Sequence, residues 1–141
     1  MAASYEQAVA TLYQAPHETF VAERKRLSSE LKANGDRDGA TRLSKLTRPS
    51  VSAWAVNQLY WHARAELEAL FEAAARLQQG DYDARDEHRE LSASLRSRAG
   101  ALLAAAGHSP NDATLRRVSA TLGAVAAAGS FAPEPPGALS R

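Results

Sequence analysis

Glycines divide this chain into helix-length segments, and their spacing limits its folds more than any other feature. Gly35, Gly80, Gly107 and Gly129 each follow a stretch in which apolar residues recur every three or four positions. That recurrence is the period of one helix face, and a left-handed glycine commonly ends a helix. No run of alternating apolar and polar residues predicts a strand. The sequence therefore predicts an all-α fold.

The apolar pattern predicts an antiparallel bundle of about five helices, with a shorter helical segment near the N-terminus. The longest helix should begin near Pro49 and run to Gln79, forming a central helix about 45 Å long. Ser109 is expected to cap the last helix, with Pro110 in its first turn. The predicted segments are about 3–13, 16–34, 36–46, 50–79, 82–106 and 111–128.

The segment 131–141 contains three prolines, which prevent a continuous helix there. We therefore expect a single helical domain over residues 1–130, followed by an extended proline-rich tail or linker over 131–141. Phe131 and Leu139 are the residues that could fold this tail back onto the bundle.

Composition narrows the class of protein. The chain has 141 residues, which is the length of one domain, and 31 of them are alanine, the residue that most favours helix. Its net charge of +1 predicts no strong overall electrostatic field. The absence of cysteine excludes disulfides and thiolate chemistry. No basic and apolar leader begins the sequence, and no apolar run is long enough to span a membrane, so a cytoplasmic protein with no membrane partner is expected.

The sequence carries no familiar catalytic or metal-binding motif. No Gly-x-Ser-x-Gly motif, glycine-rich phosphate loop or His-Glu-x-x-His motif is present. His62 and Glu66 are one helical turn apart, but a residue at the edge of the core explains His62 equally well. We therefore predict a protein that is not an enzyme and holds no cofactor or metal.

The segment from Leu46 to Leu59 allows two interpretations. Its first half resembles the turn and recognition-helix start of bacterial helix-turn-helix repressors, which would direct Arg48, Ser50 and Ser52 into a DNA groove. Alternatively, Pro49 begins a long core helix in which Trp54 is a buried anchor.

Charge is unevenly distributed along the chain. Between Phe20 and Ser50, eight basic residues outnumber four acidic ones, whereas residues 51–82 carry a net charge of −2. The basic half could bind phosphate, pair with an acidic surface of a second protomer, or be a solvated face. The candidate nucleic-acid contacts are Arg24, Lys25, Arg26, Arg42, Lys45, Arg48, Ser50 and Ser52.

Two neighbouring aromatic residues, Tyr60 and Trp61, fall at the border of the apolar stripe of the long helix. Aromatic residues in that position are enriched at protein interfaces, so both are candidate interface residues. The alternative is that they lie beneath the tail or the N-terminal helix.

The segment 20–59 also resembles an uncharacterised family of bacterial proteins. The resemblance is carried by the Arg-rich helix over 24–31, by Gly35-Asp36-Arg37, and by the Pro-Ser-x-x-Ala-Trp-Ala-x-Asn-x-Leu string over 49–59. It covers less than half of the chain. It implies a bacterial helical domain and assigns no site residue.

The function favoured by the sequence is a non-catalytic helical module for protein–protein contact or self-association. The alternative is a nucleic-acid-binding protein that uses the basic region 24–52 in a helix-turn-helix-like arrangement.

Overall fold

The computed structural model describes residues 4–141, and every regular element in that range is helical. The all-α prediction is confirmed, with seven α-helices in place of the five and a short sixth that the pattern predicted. A 3₁₀ turn at His17–Thr19 precedes the second helix. The helices are α1 (Tyr5–Gln14), α2 (Phe20–Ala33), α3 (Arg37–Ser44), α4 (Val51–His62), α5 (Arg64–Gln78), α6 (Ala84–Ala105) and α7 (Asp112–Ala128).

Most helix ends lie close to where local chemistry predicts them. The four glycines that follow the predicted helices have φ angles between 75° and 91°, as their expected left-handed conformation requires. The predicted N-cap of α7 is wrong by two residues. Asn111, not Ser109, caps that helix by accepting a hydrogen bond from the Thr114 amide at 2.9 Å, and Pro110 lies before the cap.

The predicted long helix over 50–79 is broken at Ala63. The backbone of Ala63 has φ −139° and ψ 40°, which is not helical, so α4 ends at His62 and α5 begins at Arg64. Arg98, on α6, contacts the chain at this break: its Nη2 donates to the His62 carbonyl oxygen at 3.1 Å. The prediction of one continuous central helix is therefore wrong.

The core consists of two hydrophobic clusters, and α4 belongs to one of them while contacting α1 of the other. The first cluster packs α1 against α2 and α3. The second packs α4, α5, α6 and α7 together with the tail. Every residue from Ser52 to Leu59 is buried, so α4 is enclosed on all sides along that length. The predicted anchor Trp54 is 6% exposed, and its Nε1 donates to the Ala15 carbonyl oxygen at 3.0 Å.

The proline-rich segment 131–141 packs back onto the bundle. It contains two turns, and its Phe131 and Leu139 side chains are buried in the second cluster. Asn57, on α4, bonds both backbone groups of Leu139: the amide donates to Oδ1 at 2.7 Å, and Nδ2 donates to the carbonyl at 2.9 Å. Residues 131–141 are thus held by the helix that occupies the centre of the molecule.

In residues 4–141, none of the helices has both the length and the apolar character needed to cross a lipid bilayer.

Candidate binding surfaces

Tyr60 and Trp61, the predicted interface aromatics, hold the tail in place. The edge of Tyr60 meets Trp61 at a centroid distance of 4.7 Å and Phe131 at 5.5 Å. Trp61 Nε1 donates to the Gly137 carbonyl oxygen at 3.2 Å. The guanidinium carbon of Arg64 lies 3.6 Å from the Tyr60 centroid, a cation–π contact. Both aromatics are therefore partly used within the molecule, as the alternative interpretation expected.

Four of the predicted basic contacts are engaged by neighbouring groups. Arg24 Nη1 donates to the Leu46 carbonyl oxygen at 2.8 Å. Arg26 forms ion pairs with Glu23 at 2.7 Å and Glu30 at 3.0 Å. The hydrogen bond between Arg26 and Glu23 raises the pKa of the arginine and lowers the pKa of the carboxylate.

Arg42 lies over an aromatic ring, and Arg48 forms hydrogen bonds with His17. The guanidinium carbon of Arg42 lies 4.1 Å from the Tyr5 centroid. Arg48 donates from Nε to the His17 carbonyl oxygen at 3.1 Å and from Nη2 to His17 Nδ1 at 2.9 Å. Lys25 and Lys45 are exposed, and within residues 4–141 neither has an ion pair or a side-chain hydrogen bond.

Ser50 and Ser52 lie at the start of α4 and have structural roles there. Ser50 caps the helix by accepting from the Ala53 amide at 3.2 Å, and its own amide donates to the Ser140 carbonyl oxygen at 3.1 Å. Ser52 is only 8% exposed. A recognition helix needs an exposed face to enter a DNA groove. Because α4 is enclosed from Ser52 to Leu59, its N-terminal turns offer no such face.

A hydroxyl-rich groove of about 390 Å³ separates α2 from α3. Lys32 and Arg37 line it, and no carboxylate side chain does so within the described part of the chain. The Ser28 hydroxyl oxygen is buried and has no hydrogen-bond partner among residues 4–141. The other lining residues are Ser29, Ala40, Thr41 and Ser44.

A second groove, of about 610 Å³, separates α6 from α7. Most of its lining side chains are small, and Gly100 lies at its floor beside Leu115. The only charged residue that lines it within the described chain is Arg96, which has no ion pair there. The remaining lining residues are Ser92, Ala93, Ser97, Pro110 and Ser119.

Sequence reasoning missed this groove because its walls come from helices whose relative position the pattern does not encode. The only local signal was a set of small residues along α6 at helical spacing, namely Ser92, Ala93, Ser97 and Gly100. In residues 4–141 no group of three or more His, Asp or Glu side chains is placed to hold a metal ion.

Comparison with protein families, curated proteins and solved structures gives no match for this chain. The resemblance to an uncharacterised bacterial family over 20–59 therefore stays a prediction. Its Pro-Ser-x-x-Ala-Trp-Ala-x-Asn-x-Leu string forms the start and the buried length of α4. Trp54 and Asn57 in that string bond other segments of the chain, so its polar residues maintain the fold.

Proposed function

We propose that this protein is a non-catalytic helical module that associates with further copies of itself through the α6–α7 groove. The groove itself carries the proposal. Small side chains, most of them on α6, allow a third helix to approach closely, at the interaxial distance of about 8–10 Å that packed helices adopt. The large apolar side chains are almost all buried, leaving Val21 and Tyr82 as the exposed exceptions among residues 4–141.

The outer face of α5 fits this groove in size and charge. Four exposed residues, Ala65, Glu68, Glu72 and Ala75, lie along that face at helical spacing. Neither Glu68 nor Glu72 has an ion pair within residues 4–141. An acidic face of alanine and glutamate complements a groove of small residues whose charged member is Arg96.

Because the α5 face and the α6–α7 groove are different surfaces, the contact is head-to-tail. Such contacts form rings where the rotation closes and chains where it does not. The average mass in solution should therefore rise with concentration beyond that of a dimer.

Charge reversal tests this arrangement by sedimentation equilibrium. Arg96→Glu and Glu72→Arg should each reduce association, since each places like charges in contact. The double variant carries both reversals and should restore it. Lys25→Glu is the control, because it changes the net charge by the same amount as Arg96→Glu. Lys25 lies on an exposed face of α2, so this variant should associate like the unmodified chain.

Two results would contradict the proposal. One is an unmodified chain that stays monomeric up to about 500 µM, where even a contact with a dissociation constant near 100 µM would be populated. The other is a double variant as weak as its two parents, since the contact would then not join these residues.

Nucleic-acid binding is the second candidate, and the α2–α3 groove is the observation that favours it. With α4 enclosed, phosphate contacts would come from Lys32 and Arg37 and from the hydroxyl groups beside them. The arrangement would not be that of a helix-turn-helix protein.

Fluorescence anisotropy with a labelled random duplex, at low and at physiological salt, tests this candidate. Lys32→Gln and Arg37→Gln should each weaken binding and reduce its salt dependence. Arg89→Gln, on an exposed part of α6, should have no effect. An unmodified chain that does not bind at low salt would exclude this function.

A further inference from the structure

A cleft of about 660 Å³ opens where the start of α4, the α6–α7 loop and the end of the tail come together. The volume is within the range of pockets that hold small molecules, about 300–1,000 Å³. Its walls come from three segments that are far apart in the sequence. The lining residues include Ser50, Ser52, His108, Thr114, Arg117 and Arg141.

Two arginines line this cleft, Arg117 on α7 and Arg141 at the end of the tail. Neither Arg117 nor Arg141 has an ion pair or a side-chain hydrogen bond within residues 4–141. No carboxylate side chain lines the cleft in the same range. Unlike Arg26 and Arg76, which are neutralised by neighbouring carboxylates, these two guanidinium groups keep all their donors available.

Hydroxyl groups supply further donors beside the arginines. Thr114 and Thr121 lie three residues before and four residues after Arg117, so all three share one face of α7. Ser52 lies on the α4 side and is 8% exposed.

One backbone hydrogen bond and two ring contacts join the walls of the cleft to the rest of the fold. The Ser50 amide donates to the Ser140 carbonyl oxygen at 3.1 Å, which holds Arg141 beside the start of α4. His108 lies between the cleft and the interior, where its ring meets His17 and Trp54 at centroid distances of 5.3 and 5.9 Å. The cleft is therefore assembled by the fold, and its arginines project from anchored backbone.

We propose that this cleft binds the phosphate group of a small phosphorylated molecule. Guanidinium groups match phosphate oxygens in paired hydrogen bonds, and serine and threonine hydroxyls complete such sites. This inference does not depend on the α6–α7 groove or on self-association, because it concerns different residues.

Isothermal titration calorimetry with inorganic pyrophosphate tests the site directly. Arg117→Gln and Arg141→Gln should each weaken binding by about tenfold or more, as expected when a hydrogen bond between charged groups is lost. Arg116→Gln is the matched control, since it removes the same charge from the next, exposed position of α7 outside the lining. That variant should bind pyrophosphate like the unmodified chain.

Lys32→Gln serves as a second control, because it would lower binding only if the α2–α3 groove were the site. No heat of binding at millimolar pyrophosphate would overturn the proposal. Equal weakening by Arg116→Gln and Arg117→Gln would also overturn it, since the attraction would then be a general effect of net charge. Far-ultraviolet circular dichroism confirms that each variant is folded.

Discussion

Three polar side chains on α4 hold the backbones of other segments. Trp54 bonds Ala15, Asn57 bonds Leu139, and Gln58 Nε2 donates to the Tyr13 carbonyl oxygen at 2.8 Å. A buried amide is costly unless its hydrogen bonds are made. Here each bond also satisfies a backbone group that lacks a helical partner. These residues thus specify how α1 and the tail dock on α4.

Asn57→Ala should lower the free energy of unfolding by about 2–4 kcal/mol, because both backbone groups of Leu139 would be buried without a partner. Urea denaturation measures the loss. Gln78→Ala is the matched control, since it removes a bond of Nε2 to the Ala127 carbonyl at an exposed site. Its effect should be below about 1 kcal/mol. Equal losses in the two variants would show that burial does not determine the cost.

His17 gives the fold a pH dependence. It is 8% exposed, its Nε2 lies 2.8 Å from the Pro49 carbonyl oxygen, and its Nδ1 faces Arg48. Burial lowers the pKa of His17 below its ordinary value of 6.5, and Arg48 and His108 act in the same direction, against the hydrogen bond to Pro49. The neutral ring is therefore the form that the folded chain favours.

As pH falls through 6.5, the unfolded chain takes up a proton that the folded chain still excludes, so the free energy of unfolding should decrease. Urea denaturation between pH 8 and pH 5 measures this. His17→Gln should flatten the dependence in that interval. His62→Gln, at an exposed position, should leave it intact. A profile unchanged by His17→Gln would exclude His17 as its source.

At the scale of elements, local chemistry predicted most helix bounds within a few residues. The predicted segments near 36–46, 82–106 and 111–128 correspond to α3, α6 and α7. The break at Ala63 could not be predicted, because neither glycine nor proline is near it and the apolar stripe continues through it. Its cause is tertiary: α4 packs centrally while α5 follows α6, and Arg98 on α6 bonds the carbonyl that the break exposes.

Arg98→Ala should destabilise the fold by about 1–2 kcal/mol, because the His62 carbonyl and Glu66 would both lose a donor. Thermal and urea unfolding measure the change. Arg89→Ala is the control, since among residues 4–141 Arg89 forms an ion pair only with Asp86 on its own helix and both side chains are largely exposed. That variant should stay within about 0.5 kcal/mol of the unmodified chain.

At the scale of the molecule, the sequence identified several residues of interest but not their surroundings. Ser50 and Ser52 were candidate nucleic-acid contacts, and they line a cleft shared with Arg117 and Arg141. Tyr60 and Trp61 were predicted as interface residues, and they contact the tail. Periodicity shows which face of a helix is apolar, whereas the neighbour of that face depends on contacts between distant segments.

The tail depends on a glycine at position 137. Gly137 has φ 70°, and a Cβ atom there would lie 2.6 Å from Tyr60 Cδ2 and 2.8 Å from Trp61 Nε1. Gly137→Ala should therefore lower the free energy of unfolding by about 2–4 kcal/mol, combining backbone strain with overpacking. Trp61 fluorescence should change as the tail is displaced.

Gly129→Ala provides the control for backbone strain alone. Gly129 has φ 75°, and open space surrounds the position of its Cβ. The expected loss is about 1–2 kcal/mol, without displacement of the tail. If the two variants lose similar free energy of unfolding and have similar Trp61 fluorescence, Tyr60 and Trp61 move away from the added methyl group at little cost.

The bonds between Asn57 and Leu139 join residues 82 positions apart, which has a consequence for the order of folding. Contacts between residues so far apart in sequence tend to form late in folding, because the chain must lose the entropy of closing the loop before these contacts can stabilise it. We therefore expect residues 131–141 to dock onto the helices late in folding. Since Ser140 and Arg141 complete the cleft, the site for phosphate should form only in this closing step, so binding would distinguish the finished fold from a bundle that still lacks its tail.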